Sequence, residues 1–326
     1  MKAILFILLI GIIFIILICT LIFQNYYNDM NNFIELSEKV DTNIISSFTS
    51  PDKYDLYNIS FVKFKDRIMW SGRKDKKGFN RSHSINSTIV GGFTDSNFKI
   101  TNHEKINIKI DEDEGLEDPR MFVIKNRLFL ALTKTKLGKY KISKMFNGFE
   151  KVYVCVAELD ENFNIINFKE YHDYGINKNW TLFENKGDTY LINHFSPFIY
   201  YKFDVDTLDI YDRKEIFHKY KYLNREYRCA RVFESIGSKI KCFCHVKCAK
   251  FLPYYVFQIF EIDLDEQSVV SKSDPLSFYD HKNIGIFTET RYPHHIQNIE
   301  NKYILSENIN NNQIIFHKID MDMLLQ

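Results

Sequence analysis

The feature that most constrains this chain is a strand-turn-strand unit that recurs five times. In the first unit the apolar run Phe61-Val62-Lys63-Phe64 turns at Lys65-Asp66 into Arg67-Ile68-Met69-Trp70. The other four turn at Lys125-Asn126, Asn185-Lys186-Gly187-Asp188, Ser235-Ile236-Gly237-Ser238 and Ile299-Glu300-Asn301. With Asp66, Asn126, Gly187, Gly237 and Glu300 as markers, the steps are 60, 61, 50 and 63 residues. Five such units imply five four-stranded sheets, an all-β five-bladed propeller. An aromatic content of 16%, with 29 Phe and 20 Tyr against 12 Gly, suits strands. A net charge of +1 gives no bulk attraction to nucleic acid.

Ahead of the repeat, Ile4 to Phe23 is apolar or nearly so and carries no charge. As a helix it is long enough to cross a hydrocarbon core of about 30 Å, so one N-terminal transmembrane helix is expected. We read 1–24 as a retained signal anchor rather than a cleaved signal peptide: the run exceeds an ordinary h-region, and bulky Gln24-Asn25-Tyr26-Tyr27 follows in place of a small-residue cleavage site. Lys2 precedes the span and no Lys or Arg follows until Lys39, which favours a cytoplasmic N-terminus and a lumenal or extracellular remainder. A polar stem is expected over 25–54, with a short helix around Asn32 to Val40, and a catalytic propeller over 55–326. Sequons at Asn58, Asn80, Asn86 and Asn179 are compatible with a glycoprotein. Outside the span Cys155, Cys229, Cys242, Cys244 and Cys248 make an odd set. Alternation places Cys242 and Cys244 on one face of a strand, which favours buried thiols or one disulfide over zinc.

The repeat also locates a site. Gly115-Leu116-Glu117-Asp118-Pro119-Arg120 puts two acids and an arginine around a proline that should hold Asp118 extended. A polar cluster precedes every turn: Tyr57-Asn58-Ile59-Ser60, Asp118-Pro119-Arg120, Lys178-Asn179-Trp180, Tyr227-Arg228-Cys229 and Arg291-Tyr292-Pro293-His294. Equivalent stations in a radial fold converge, so Asn58, Asp118, Arg120, Lys178, Asn179, Arg228, Arg291 and His294 are expected in one pocket, with Arg73 and His194 on its wall. Several cations around one carboxylate make an anion site with an acid or base at its edge.

These residues resemble glycoside hydrolase family 130, the inverting β-mannoside phosphorylases and their β-mannosyltransferase relatives, over roughly Tyr57 to Lys318. The likeness rests on Glu117-Asp118-Pro119-Arg120, on Lys178-Asn179-Trp180-Thr181-Leu182-Phe183 and on Asn58-x-Ser60 with Arg73 beyond it. It implies that Asp118 is the general acid, or the base in synthesis, and that Asn58, Ser60 and Arg73 hold the mannosyl ring. Glu117, Asn179, His194 and His294 complete the sugar-side candidates; Arg120, Lys178, Arg228 and Arg291 are the phosphate-side ones. Phosphate or a sugar phosphate enters as substrate, with no cofactor and no metal. Two departures stand out: Ser306 to Asn312 offers amides with Glu307 as its one carboxylate, and Glu226-Tyr227-Arg228-Cys229-Ala230 replaces a Gly- and Pro-rich signature. Anchor, stem and lumenal domain match the layout of secretory-pathway glycosyltransferases. The expectation is therefore a membrane-anchored inverting mannosyltransferase using a phosphate-linked donor, with carbohydrate and membrane as partners and no nucleic acid. A β-mannoside phosphorylase and a non-catalytic glycan-binding propeller are the alternatives.

Overall fold

Each inner hairpin closes through residues in left-handed backbone: Lys65 (φ 53°), Lys125 and Asn126 (48° and 59°), Lys186 and Gly187 (50° and 83°), Gly237 (60°), and Glu300 and Asn301 (53° and 61°). Paired positive φ values match the right-handed twist of the strands they join, which is why the polar turns read from the sequence are hairpins. A computed structural model describes residues 10–22, 24–25, 36–40, 42–51, 53–76, 87–101, 103–137, 149–172, 178–247, 255–278, 290–310 and 312–321.

The hairpins nucleate five sheets around one axis. Blade 1 runs Tyr54–Phe64, Arg67–Lys76, Thr88–Thr94 and Glu104–Lys105; blade 2 runs Glu114–Ile124, Arg127–Leu137, Phe149–Leu159 and Ile165–Tyr171. Blade 3 holds Thr181–Asn185, Asp188–His194, Phe198–Phe203 and Ile210–Ile216. Blade 4 holds Arg228–Ile236, Lys239–Lys247 and Tyr255–Asp263, edged by Ser268–Lys272 and Leu276–Ser277. Blade 5 is Arg291–Ile299, Lys302–Ile309 and Gln313–Ile319, with Asn43–Thr49 as its outer strand. One blade is thus built from both ends of the propeller sequence, which closes the ring and removes a free sheet edge. The first strands of successive blades pack against one another all the way round.

Apolar residues fill every seam between blades. One buried cluster joins blades 1 and 2 through Val62, Met69, Met121 and Leu130. Another joins 2 and 3 through Phe122, Phe129, Trp180 and Leu191, and a third joins 3 and 4 through Phe195, Phe198, Ile240 and Phe260. Phe243, Phe257, Ile296 and Leu305 join 4 to 5, and Phe61, Trp70, Ile304 and Phe316 join 5 to 1. The aromatic excess in the sequence is spent in these seams.

Two expectations change, those for the stem and for the sequons. The segment taken as a stem contributes Asn43–Thr49 to blade 5 and Glu38–Lys39, parallel to Leu276–Ser277, to blade 4. The propeller therefore begins before residue 55, and the described end of the expected Asn32 to Val40 helix is a strand, since its backbone pairs with a sheet edge. Within the expected span, residues 10–22 are helical and expose Ile10, Ile12, Phe14, Ile15 and Leu17. Among the described residues no helix is long and apolar enough to cross a membrane. The rest of Ile4–Phe23 lies outside the described residues. The sequons at Asn58 and Asn179 are 6% and 8% exposed and hydrogen-bonded inside the propeller, so neither presents its amide to a glycan-transferring enzyme. Asn80 and Asn86 lie outside the described residues.

Candidate active site

Four of the five polar clusters sit on β-bulges. Pairing slips between Tyr57 and Ser60 in blade 1, Glu117 and Arg120 in blade 2, Cys229 and Arg231 in blade 4, and Pro293 and His295 in blade 5. At this station Asn58, Asp118 and Asn179 have φ of 55°, 50° and 70°. Asp118 is therefore left-handed rather than extended: the bulge overrides the preference set by Pro119 and turns the carboxylate toward the axis. Backbone strain of this kind is stored where surrounding contacts over-determine the pose.

Those contacts are specific. Asn58 Nδ2 donates to Asp118 Oδ1 at 2.5 Å. Asn308 Oδ1 accepts the Asn58 backbone N–H at 2.8 Å, and Asn308 Nδ2 donates to Asn58 Oδ1 at 3.2 Å. The amide of Asn58 has one way round in this network, with its NH2 on the carboxylate. Glu117 is buried and pairs with Arg73 Nη1 at 3.3 Å and with Lys178 Nζ. Asp75 holds the other side of Arg73 at 3.0 and 2.8 Å and accepts the Tyr57 hydroxyl at 2.5 Å. Burial pushes the Asp118 carboxyl up, but the opposing fields of Lys178, Arg73 and Arg120 outweigh it and hold it below the ordinary carboxylate range. Asp118 is a carboxylate at neutral pH.

Arg120 lies beneath, 1% exposed. It donates to Ala230 O at 2.5 Å, Asn179 Oδ1 at 2.7 Å, His294 O at 3.3 Å and the Tyr292 hydroxyl at 3.4 Å, linking blades 2 to 5. His294 is fully buried and donates Nε2–H to Pro119 O at 3.2 Å. Burial, with Arg120 adding to it, pushes its pKa down to about 3, so it is neutral. Ser60 is also fully buried; its Oγ accepts the Met121 N–H at 2.8 Å and meets His295 Nδ1 at 3.1 Å.

A cavity of about 690 Å³ opens beside this cluster over blades 3 and 4. Lys178, Asn179, His194, Arg228 and Lys247 are on its wall. Burial and the fields of Arg228 and Lys178 push the Lys247 ammonium down from its ordinary value, with Asp118 opposing. His194 turns Nδ1 to Pro197 O at 3.0 Å.

The structure thus gathers Asn58, Arg73, Glu117, Asp118, Arg120, Lys178, Asn179 and His294 into one contiguous cluster, and places His194 and Arg228 on the adjoining cavity. Ser60 lies below, between strands. Arg291 stands apart: its Nε and Nη2 grip Glu307 at 2.7 and 2.9 Å and Nη1 donates to Phe278 O at 2.8 Å, while His317 Nε2 reaches the same carboxylate at 2.8 Å. Sequence reasoning missed Lys247, Asn308 and Asp75. The signal was available for Lys247, which ends the second strand of blade 4 as His194 ends that of blade 3. Among the described residues no group of three His, Cys, Asp or Glu is arranged to hold a metal ion.

No protein-family model matches the chain, and no curated protein matches it. Solved structures do. A mannose phosphorylase from Leishmania mexicana, MPT-4, solved with a phosphate ion, superposes with a TM-score of 0.59 over 91% of this chain and 93% of its own, at 12% identity. The fold is that of the GH130 propellers. A β-1,2-mannobiose phosphorylase from Listeria innocua gives 0.59 over 84% and 93% at 10% identity. A structure described under the GH130 family of mannoside phosphorylases, containing hydrolases that target β-1,2 mannosidic linkages in Candida mannan, gives 0.57 over 81% and 84% at 10% identity.

Proposed function

We propose that this chain is a carbohydrate-active enzyme that cleaves a β-mannoside with inorganic phosphate, inverting the anomeric carbon to release α-mannose 1-phosphate. One observation carries the reading: an ionised Asp118, held by Asn58 and next in the cluster to Lys178 and Asn179, lies beside a large cavity whose wall carries Lys178, Arg228 and Lys247. Three cations converging on open volume suit an oxyanion dianion, and charge-assisted bonds to phosphate are the strong ones. In inversion a phosphate oxygen attacks C1 from one face while a proton reaches the glycosidic oxygen from the other. The free site has Asp118 as base, ready to take a proton from an acceptor hydroxyl in synthesis. Phosphate bound among the same cations cancels part of the field that depresses Asp118, so it raises the carboxyl toward the protonated form that phosphorolysis needs.

Hydrolysis instead requires a second carboxylate free to activate water. Glu117 is bound by Arg73 and Lys178, and Glu226, on the cavity wall, sits 3.7 Å from Lys221. Transfer from a nucleotide-linked donor rests on the apolar N-terminal segment and its membrane-anchored layout, which the sequence alone supports, so phosphorolysis is the preferred reading. The test is to incubate the full chain with β-mannobioses and phosphate and follow ³¹P NMR. Phosphate-dependent α-mannose 1-phosphate supports the proposal. Mannose release without phosphate consumption would mean hydrolysis, turnover of a nucleotide sugar alone would mean transfer, and binding without turnover would mean a glycan-binding propeller.

A further inference from the structure

Three thiols meet at and behind the wall of this cavity. Cys229 lines it; Cys244 is its direct register partner on the neighbouring strand, and Cys242 lies on the same face of that strand two residues away. All three are free, and each is buried. The Cys229 sulfur is within hydrogen-bond reach of both other thiols and of the Arg231 backbone N–H.

Charge balance makes Cys229 unlike an ordinary core thiol. Arg120 and Arg231 are 1% and 6% exposed, and among the described residues neither guanidinium has a carboxylate within ion-pair distance. Arg231 spends its Nη atoms on Met121 O at 2.6 Å and Gln297 Oε1 at 2.5 Å, while the Nε of each arginine has no partner. Two buried cations with no carboxylate in direct contact are costly, and a thiolate beside them offsets part of that cost. Burial alone would raise Cys229, but hydrogen bonds from Cys242 and Cys244, with the field of Arg120, bring it well below a normal thiol. Cys155, buried in the blade 1–2 seam next to Glu170, is pushed up instead.

We propose that Cys229 is a reactive thiolate in the cavity wall, oxidised by peroxide to a reversible disulfide with Cys244 that disturbs Arg228 and weakens anion binding. The thiolate sulfur attacks one peroxide oxygen, the O–O bond breaks, and the departing hydroxide takes up a proton as water, leaving a sulfenic acid on Cys229. The Cys244 thiol then gives up its proton and displaces the hydroxyl as a second water, forming the S–S bond. Two thiols are oxidised and one peroxide is reduced to two waters. Directly opposed antiparallel residues have Cα atoms about 4.5–5.5 Å apart, within the range a disulfide spans.

The wild-type full chain is enough for the test. Native protein is treated briefly with iodoacetamide near pH 7, or with hydrogen peroxide before denaturing alkylation, then digested with trypsin. Cleavage after Arg228, Arg231, Lys241 and Lys247 isolates Cys229-Ala230-Arg231 from Cys242-Phe243-Cys244-His245-Val246-Lys247. The expected results are labelling of Cys229 at least tenfold faster than Cys155, and a peroxide-dependent link between the two peptides that dithiothreitol removes and Cys229→Ser prevents. A link assigned to Cys242 by fragmentation would overturn the choice of partner. Equal labelling of Cys229 and Cys155, or no link, would overturn the proposal whatever reaction the site performs.

Discussion

Asn58→Asp tests the electrostatics of the site most sharply. Asn308 Nδ2 already donates to one oxygen at position 58, so an aspartate keeps that bond and turns its second oxygen to Asp118, where the amide now donates at 2.5 Å. Two carboxylates in contact cannot both stay ionised. With charge centres about 4 Å apart and an effective dielectric near 20, the repulsion is about 4 kcal/mol, equivalent to roughly three pH units. In the wild type Asp118 is held down by its cations, so synthesis from mannose 1-phosphate, which needs the base, should persist as pH falls until the pH drops through that lowered value. In Asn58→Asp the acid limb of synthesis should move up by about two to three pH units, with Asn58→Ala as the control for the lost hydrogen bond. The assay is initial phosphate release against pH for the three proteins. Superimposable profiles for Asp and Ala would refute the account of how Asp118 is poised.

Lys247→Met should raise the KM for phosphate about 10- to 100-fold with a smaller change in kcat, since one charge-assisted contact is worth about 1.5–3 kcal/mol; phosphate saturation curves read it directly. Because burial and neighbouring cations lower the Lys247 pKa, wild-type phosphate affinity should weaken at a pH below the ordinary lysine range as the ammonium deprotonates, and the variant should lack that limb. Ser60→Ala removes the buried acceptor of the Met121 N–H and should cost about 1–3 kcal/mol of stability. If Ser60 acts only between strands, the KM for mannoside will not move; a tenfold rise would restore a direct sugar contact. Glu307→Gln leaves Arg291 without its carboxylate at a site where Glu307 is fully buried. Breaking a buried pair costs about 3–5 kcal/mol, and a melting temperature lowered by roughly 5–10 °C is expected by differential scanning fluorimetry.

The propeller was legible because its inner hairpins are written locally: apolar runs, polar turns and near-constant spacing mark every blade. The closing strand was not, because Asn43–Thr49 becomes a strand only by pairing with Gln313–Ile319 at the far end of the chain. The station of the site was likewise legible from five aligned clusters, but station does not give depth. The clusters of Arg120 and Arg228 both precede a turn, yet Arg120, after its bulge, is buried among carbonyls, while Arg228, ahead of its own, is exposed on the cavity. Arg291 is drawn away by Glu307, a partner 16 positions on whose burial no local pattern announces. The pose of Asp118 went wrong because the rule for a residue before proline is local, whereas the bulge that inverts its φ is a property of the paired strands.

The central claim is that Asp118 moves the proton while cations on the cavity wall hold phosphate. Its most direct test is phosphate-dependent formation of α-mannose 1-phosphate by the wild type and by Asp118→Asn, with thermal melting to confirm that both fold. The account predicts turnover by the wild type and a loss of at least a hundredfold in the variant with phosphate binding retained. Equal turnover by the two folded proteins would contradict it.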